Sequence, residues 1–414
     1  MAVPNNILQQ VQTYQMSNLA YLQNLNCFVA TANTKFKNFE KLEANLGDTV
    51  TFDLPPRFNT AASLVATFQS ADQRVQNLVV QNAINVSYAF TAQQFIFNVE
   101  DYMEQFGKSA VMEMSAQIES DIASVCVTAP YRFYGDGVTP INSYGQLAAA
   151  LAMFRNYGAA KDNTKFYLSD IAQSAIVNTG LNQFVPRRND EAANSWDIGN
   201  FDRAEFYISN LLPVHTAGDI GNLGQVMTVT GVTTDSNGAV ISITASGGSA
   251  SDANAVFQYD KFQFSDGVSG FPNLRYLTFI GHKVSSNPVQ FAATANAATD
   301  SGGNVTINIT PPLQAPSGNT QNLNAPIQVG MQFTGLPSHR AGMINSGNSL
   351  FLGMPMLPEE VPFPTGNEVD PDTGVSLRMY YGSLFGQNQR GMIHDAIWGK
   401  TQVPEYSMSV IFPL

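Results

Sequence analysis

From Asn98 to Val127 apolar side chains recur every three or four residues: Tyr102, Met103, Phe106, Ala110, Val111, Met114, Ile118, Ile122 and Val125. That spacing puts them on one stripe and predicts the longest amphipathic helix of the chain, roughly 40 Å end to end. Asn98 is a fit N-cap, and Glu100, Asp101 and Glu104 sit where the helix dipole favours negative charge. Gly107 is the one poor helix former inside it and the expected place for a bend. A shorter, uncharged stripe (Ile7, Leu8, Val11, Tyr14, Tyr21, Leu22) predicts an N-terminal helix to about Asn24, too weak to stand alone. Lys35, Lys37 and Lys41 beside Phe36 and Phe39 then mark an extended arm. Helices are also expected over 143–157, with Leu147, Leu151, Met153 and Phe154, and after the Ser169-Asp170 cap to near Gly180.

Elsewhere the period is two. Gly47-Asp48-Thr49-Val50-Thr51-Phe52-Asp53-Leu54-Pro55-Pro56 reads as turn, strand and stop, because proline cannot donate to a sheet ladder. Thr60 to Asn98 holds only two charges, Asp72 and Arg74. Leu64, Ala66 and Phe68 alternate on one side of that pair, and Val86, Tyr88 and Phe90 on the other. This predicts a long two-stranded hairpin with its tip at Asp72–Gln76, which needs a supporting surface in its own chain or the next. Lys165–Leu168, Asn200-Phe201-Asp202 and Phe206–Val214 are extended segments of an α+β unit. From about Leu223 to Phe333 helical periodicity is nearly absent. Val226–Val229 and Val240–Ile243 flank the hairpin signal Asp235-Ser236-Asn237-Gly238, and Val305, Ile307 and Ile309 alternate up to Pro311-Pro312, where the strand is expected to stop. About six short strands there predict a small barrel or sandwich inserted as its own domain. Strands at Ser349–Leu352, Ser376–Tyr381, Gly391–Trp398 and Tyr406–Phe412 should close the sheets begun before it.

Composition narrows the function. Among 414 residues only 13 % are charged, about half the usual share, and the net charge is −12. An acidic chain is ill suited to gripping phosphates. A sparsely charged surface suits a protein packed against neighbours. No signal-like apolar region or membrane-length run is present, so the chain is expected to be soluble and made in the cytoplasm. Cys27 and Cys126 form neither a disulfide framework nor a metal spacing and are expected to be buried thiols. Candidate chemistry is thin. Gly107-Lys108-Ser109 lacks the first glycine of a phosphate loop and falls inside a helix. Asp370-Pro371-Asp372-Thr373-Gly374 does not match a calcium loop. His215, His282, His339 and His394 are scattered, and His215 reads as a hydrogen-bonded structural residue. Glu359 and Glu360 read as solvated, and Arg187 and Arg188 as a solubilising pair or subunit contact. No nucleophile, base and oxyanion site assemble. The expectation is therefore no catalytic, cofactor-binding or metal residues, no cofactor, and no enzyme.

The order of elements resembles the major capsid proteins of tailed bacteriophages, most closely the podophage coat proteins with an inserted β-barrel. Three stretches carry the likeness: Gly47–Pro56 with the uncharged hairpin and the helix from Asn98; Ile198-Gly199-Asn200-Phe201-Asp202 with Leu211–Gly218; and Ser383–Val410. The resemblance implies an α+β capsid fold laid out as an N-terminal arm (1–46), a peripheral domain with a spine helix (47–59 and 98–129), an extended hairpin loop across a neighbouring subunit (60–97), an axial domain (130–222), an inserted β-barrel domain (223–333), and the axial remainder with closing peripheral strands (334–414). It implies a virion shell subunit assembled in the host cytoplasm as hexamers and pentamers. Its implied partners are a scaffolding protein, a portal protein, a decoration protein and enclosed double-stranded DNA, with no membrane. Some relatives cross-link a lysine of the extended loop to a neighbour's asparagine; residues 60–98 contain no lysine, so that chemistry is not expected in this loop. Two other classes stay open: a β-rich virion or tail-associated protein whose Phe257, Tyr259, Phe262 and Tyr276 line a glycan site, and a cryptic hydrolase.

Overall fold

The computed structural model describes residues 27–34, 47, 49–55, 58, 74–91, 99–158, 163–178, 200–279, 281–315, 320–347, 349–358, 365–369, 375–384 and 389–414. They fall into two compact units. One takes in the described residues up to Asp53, Val75–Ala123 and those of Asn348–Gln402; the other those of Leu54–Arg74, Ser124–Gly347 and Val403–Leu414.

The first unit joins a long helix to a six-stranded sheet, ordered Thr49–Leu54, Arg74–Thr91, Gln389–Gln402, Ser376–Leu384, Thr365–Val369, with Leu350–Gly353 also on Gln389–Gln402. The helix runs Val99–Ala123, and a four-residue helix, Val125–Thr128, follows in the second unit. The interruption falls at Ser124, not at Gly107. From Gly107 onward its buried positions are 107, 110, 111, 114, 115, 118, 119, 122 and 123, which follow the stripe the apolar spacing predicts. Asn98 lies outside the described residues, as do the N-terminal helix, the lysine-bearing arm and 59–73.

Arg74–Thr91 is the second arm of the expected hairpin; the first, residues 60–73, lies outside the described residues. The second arm is one 18-residue strand whose Val80–Thr91 pairs antiparallel with Gly399–Gln389 of the same chain. Arg74–Gln76, expected at a hairpin tip, are its first residues. Alternation alone cannot choose a strand's partner, and here the returning tail supplies one. Gly399 lets the two backbones approach closely, since a Cβ there would lie 2.4 Å from the Val79 carbonyl oxygen.

In the second unit, a mixed seven-stranded sheet runs Phe133–Tyr134, Ser407–Phe412, His339–Ser346, Thr164–Leu168, Ala204–Ile208, Asn200–Phe201, with Val214–His215 also on His339–Ser346. The helices Tyr144–Asn156 and Asp170–Asn178 bury Leu147, Leu151, Phe154 and Ile176 with Phe166, Ile344, Met408 and Val410 of that sheet. Ser143 caps the first by accepting from Gln146 N, and Gln146 Oε1 accepts in return from Asn142 N at 2.8 Å.

Between these segments the chain closes a six-stranded barrel in the order Lys261–Phe264, Gln290–Ala293, Asn304–Leu313, Val240–Ser246, Val226–Thr234, Gln332–Gly335. Its interior is aromatic: Phe262, Phe264, Phe291 and Phe333 are buried with ring centroids 5.3–5.9 Å apart. Each fully buried phenylalanine contributes roughly 1.5–3 kcal/mol. The Asp235–Gly238 turn forms as its sequence directs, with Asp235 Oδ1 accepting from Asn237 and Ala239 N and Gly238 at φ +82°. The expected stop at Pro311-Pro312 does not occur, because that strand continues to Leu313. The prolines fall where the ladder to Val240–Ser246 shifts register between Asn308 and Leu313, a stretch that asks no donor of them.

Candidate functional site

Among the described residues, chemistry-bearing side chains gather in buried and half-buried polar clusters in each unit. In the first unit Glu119 lies on the buried stripe of the long helix, 2 % exposed. Its carboxylate accepts from Cys27 N (2.9 Å), Phe28 N (2.8 Å), Val29 N (3.3 Å) and the Cys27 thiol (3.0 Å), so it fastens the start of the short helix Cys27–Thr31. Cys27 is thus half-buried and engaged, where the sequence suggested a fully buried thiol; Cys126 is buried as expected, and both are free of disulfides. Two residues on, Asp121 Oδ2 accepts from Asn82 Nδ2 and Trp398 Nε1, each at 2.8 Å, while Lys400 Nζ lies 2.7 Å from Oδ1. One carboxylate therefore ties the helix to both long strands of the sheet.

In the second unit, His215 Nε2 and Asp260 Oδ1 are 2.8 Å apart, and Asp260 Oδ2 accepts from Gly218 N and Phe257 N. This satisfies the reading of His215 as structural. The histidines that look scattered along the chain are partly gathered, because His339 packs 5.4 Å from His215, ring centre to ring centre. His339 Nδ1 donates to Pro337 O at 2.7 Å, and burial foremost, with Lys261 next, pushes its pKa down to about 3. Lys261, 1 % exposed, donates to Ser409 Oγ at 2.5 Å, and Ser409 Oγ in turn donates to Cys126 O at 2.6 Å. Burial pushes its ammonium pKa down to about 7.

The other cluster surrounds Arg132. Its guanidinium stacks over Tyr157, 4.0 Å from the ring centre, and Nη2 donates to Glu405 O (2.9 Å) and Ser407 O (3.1 Å). Tyr131 and Tyr157 share a hydroxyl–hydroxyl bond of 2.9 Å, and Tyr276 packs against both rings. None of these clusters sets a nucleophile beside a base in an open cleft. Among the described residues no His, Cys, Asp or Glu group is disposed to hold a metal.

Gly107-Lys108-Ser109 lies within the helix and offers no phosphate loop. Arg187, Arg188, Glu359, Glu360 and Asp370–Gly374 lie outside the described residues. The glycan expectation loses two of its four rings: Phe262, 0 % exposed, points into the barrel, and Tyr276, 1 % exposed, is packed against Tyr131 and Tyr157. Sequence reasoning missed Glu119, Asp121, Arg132, Asp260 and Lys261. For Glu119 a signal existed, as it falls at i+4 from Ser115 on the apolar stripe. For Lys261 it misled, because alternation with Phe262 and Phe264 puts the lysine outside the barrel, which is true, but that outer face is covered by Ser407–Phe412.

Among the described residues, the sheet of the first unit has an edge with one side unpaired. Gly47 N donates to Val80 O and Thr51 Oγ1 meets Asn77 Oδ1, so Thr49–Leu54 flanks only the first part of Arg74–Thr91. Gln81–Ser87 have Gln389–Gln402 on one side and, among the described residues, no strand on the other. This stretch carries no charge, no proline and no bulge beyond Asn82, the devices that ordinarily protect an edge.

No family model matches the chain, and no curated protein does. Among solved structures it is similar to a chain of Mycobacterium phage Che8 (TM-score 0.46, 7 % identity, covering 93 % of this chain and 90 % of that one). It is also similar to a chain from the capsid of Ralstonia phage GP4 (TM-score 0.43, 8 % identity, 94 % and 88 %) and to one from a virus-like particle of Pyrococcus furiosus (TM-score 0.41, 5 % identity, 97 % and 98 %). Phage capsids, the class the order of elements resembles, thus recur among these neighbours. At such TM-scores and identities the likeness carries no argument by itself, and the reading of function rests on the chain's own residues.

Proposed function

We propose that this chain is the major capsid protein of a tailed bacteriophage, a non-enzymatic subunit that assembles with copies of itself into an icosahedral head enclosing double-stranded DNA. The observation that carries the reading is the uncharged sheet edge at Gln81–Ser87, in a chain with half the usual charge. An unguarded edge is an aggregation hazard for a free monomer and an asset for a subunit built to meet neighbours. The buried clusters support it from the other side, since their carboxylates, histidines and lysine are engaged in holding elements together and leave no catalytic arrangement. In this reading Val99–Ala123 serves as the spine helix, residues 60–97 reach a neighbouring subunit, the barrel is the inserted domain, and hexamers and pentamers arise from one chain bending at its connections. A scaffolding protein, a portal and a decoration protein are its assembly partners, and the net charge of −12 suits a container that must release its DNA.

The test places charge on the edge. Ala83→Lys with Ser87→Lys should leave the far-ultraviolet circular dichroism of the subunit unchanged and abolish particles in sedimentation velocity, while the wild-type chain sediments as closed shells. Shells of normal size from the double variant would remove the edge from the account.

A further inference from the structure

We propose that the second unit holds a small inorganic anion against Arg132, in a buried site walled by Tyr131, Tyr157 and Tyr276. Arg132 is 1 % exposed, so its charge is removed from water. Nη2 is satisfied by two backbone carbonyls, but Nε and Nη1 have no partner among the described residues. The neighbouring acidic side chain, Glu405, turns its Oε1 to Nη1 of Arg74, and Arg132 reaches its backbone carbonyl. The phenols do not supply the missing charge, because burial foremost holds the Tyr131 and Tyr276 hydroxyls well above their ordinary range and so protonated. The ring of Tyr157 and two carbonyls meet part of this charge, and a bound counter-ion would meet the rest through the two open nitrogens.

The kind of ligand follows from the hydrogen inventory. Tyr131 and Tyr157 bring two hydroxyl protons to a single shared bond, leaving one proton without an acceptor among the described residues. Together with Nε–H and Nη1–H, the spare groups of the arginine and of the phenol pair are donors. A halide accepts from all of them and brings no proton of its own. Tyr276 is not among the donors, as its hydroxyl is committed to Gln290 O. The site therefore favours a monovalent anion of chloride or bromide size.

The experiment uses the full chain, unfolded thermally at constant ionic strength in sodium bromide or in sodium gluconate, whose bulky anion cannot enter a buried site. A saturable rise of the midpoint with bromide alone is expected. Tyr131→Phe with Tyr157→Phe keeps both rings and removes both hydroxyls, and should raise the half-saturating bromide concentration roughly tenfold. Anomalous scattering from bromide-grown crystals should place a peak within hydrogen-bond distance of Arg132 Nε or Nη1. Arg132→Lys should lose the bromide effect; if that variant does not fold, the phenylalanine pair and the anomalous peak decide. Equal midpoints in the two salts, or a map with no peak beside Arg132, would overturn the assignment.

Discussion

Lys261→Met is the perturbation whose sign depends most sharply on pH. The lysine is fully buried, and its pKa falls from 10.5 to about 7 on folding. A displacement of that size corresponds to a penalty on the order of 5 kcal/mol for carrying the buried charge. The sign follows from proton binding. Between pH 7 and 10.5 the unfolded chain holds this proton and the native state does not, so stability rises with pH through that window. Below 7 both states are protonated and the full penalty is present. Methionine is similar in size, carries no charge, and gives up one hydrogen bond to Ser409, worth about 1 kcal/mol. Ser409 keeps its bond to the Cys126 carbonyl. Lys261→Met should therefore be more stable than wild type at pH 6, by on the order of 3 kcal/mol, and slightly less stable near pH 10.5. Urea unfolding followed by circular dichroism at both pH values measures the difference directly. A variant less stable than wild type by the same amount at both would mean that the lysine is solvated or well paired, and would refute the reasoning.

Other consequences can be checked the same way. His339 and His394 have pKa values pushed down by burial to about 3 and about 4, from 6.5, so each withdraws stability as pH falls below 6.5, down to those values. Replacing both with leucine should flatten the acid limb of the pH–stability curve, and an unchanged slope would contradict the assignment. Glu119→Gln should weaken the charge-assisted bonds to the Cys27–Thr31 helix by about 1.5–3 kcal/mol. Hydrogen exchange would report it as lost protection at Phe28 and Val29 with the barrel amides unaffected, while unaltered protection would show that the carboxylate is not the anchor. Asp121→Ala strands the Trp398 indole and the Asn82 amide, takes from Lys400 its carboxylate while leaving it the residue's backbone carbonyl, and should cost about 2–3 kcal/mol. A loss under about 0.5 kcal/mol, in the range of ordinary surface changes, would argue against that three-way tie.

What the sequence disclosed and what it withheld divide along a physical line. Where a segment's structure is decided locally, the residues announce it: Ser143 and Gln146 cap their helix reciprocally, Asp235-Ser236-Asn237-Gly238 turns the chain, and the alternation of Val305, Ile307 and Ile309 points into the barrel. Where a distant segment decides, the pattern falls short. Val86 and Tyr88 do alternate, but nothing near them says that residues three hundred positions later supply the pairing strand. Pro311-Pro312 stop a strand only if both flanks need donors there, and the register shift removes that need. The buried polar residues were hardest to read, because Lys261 and Arg132 look like ordinary surface cations until the sheet that covers them is in place. Glu119 was the exception that could have been seen, as a charge on an otherwise apolar stripe.

The central claim is that the chain builds a shell. The most direct measurement is negative-stain electron microscopy of the soluble fraction after expression with and without a candidate scaffolding protein. Closed, uniform particles hundreds of ångströms across are the predicted result. Well-behaved monomers under both conditions would contradict it.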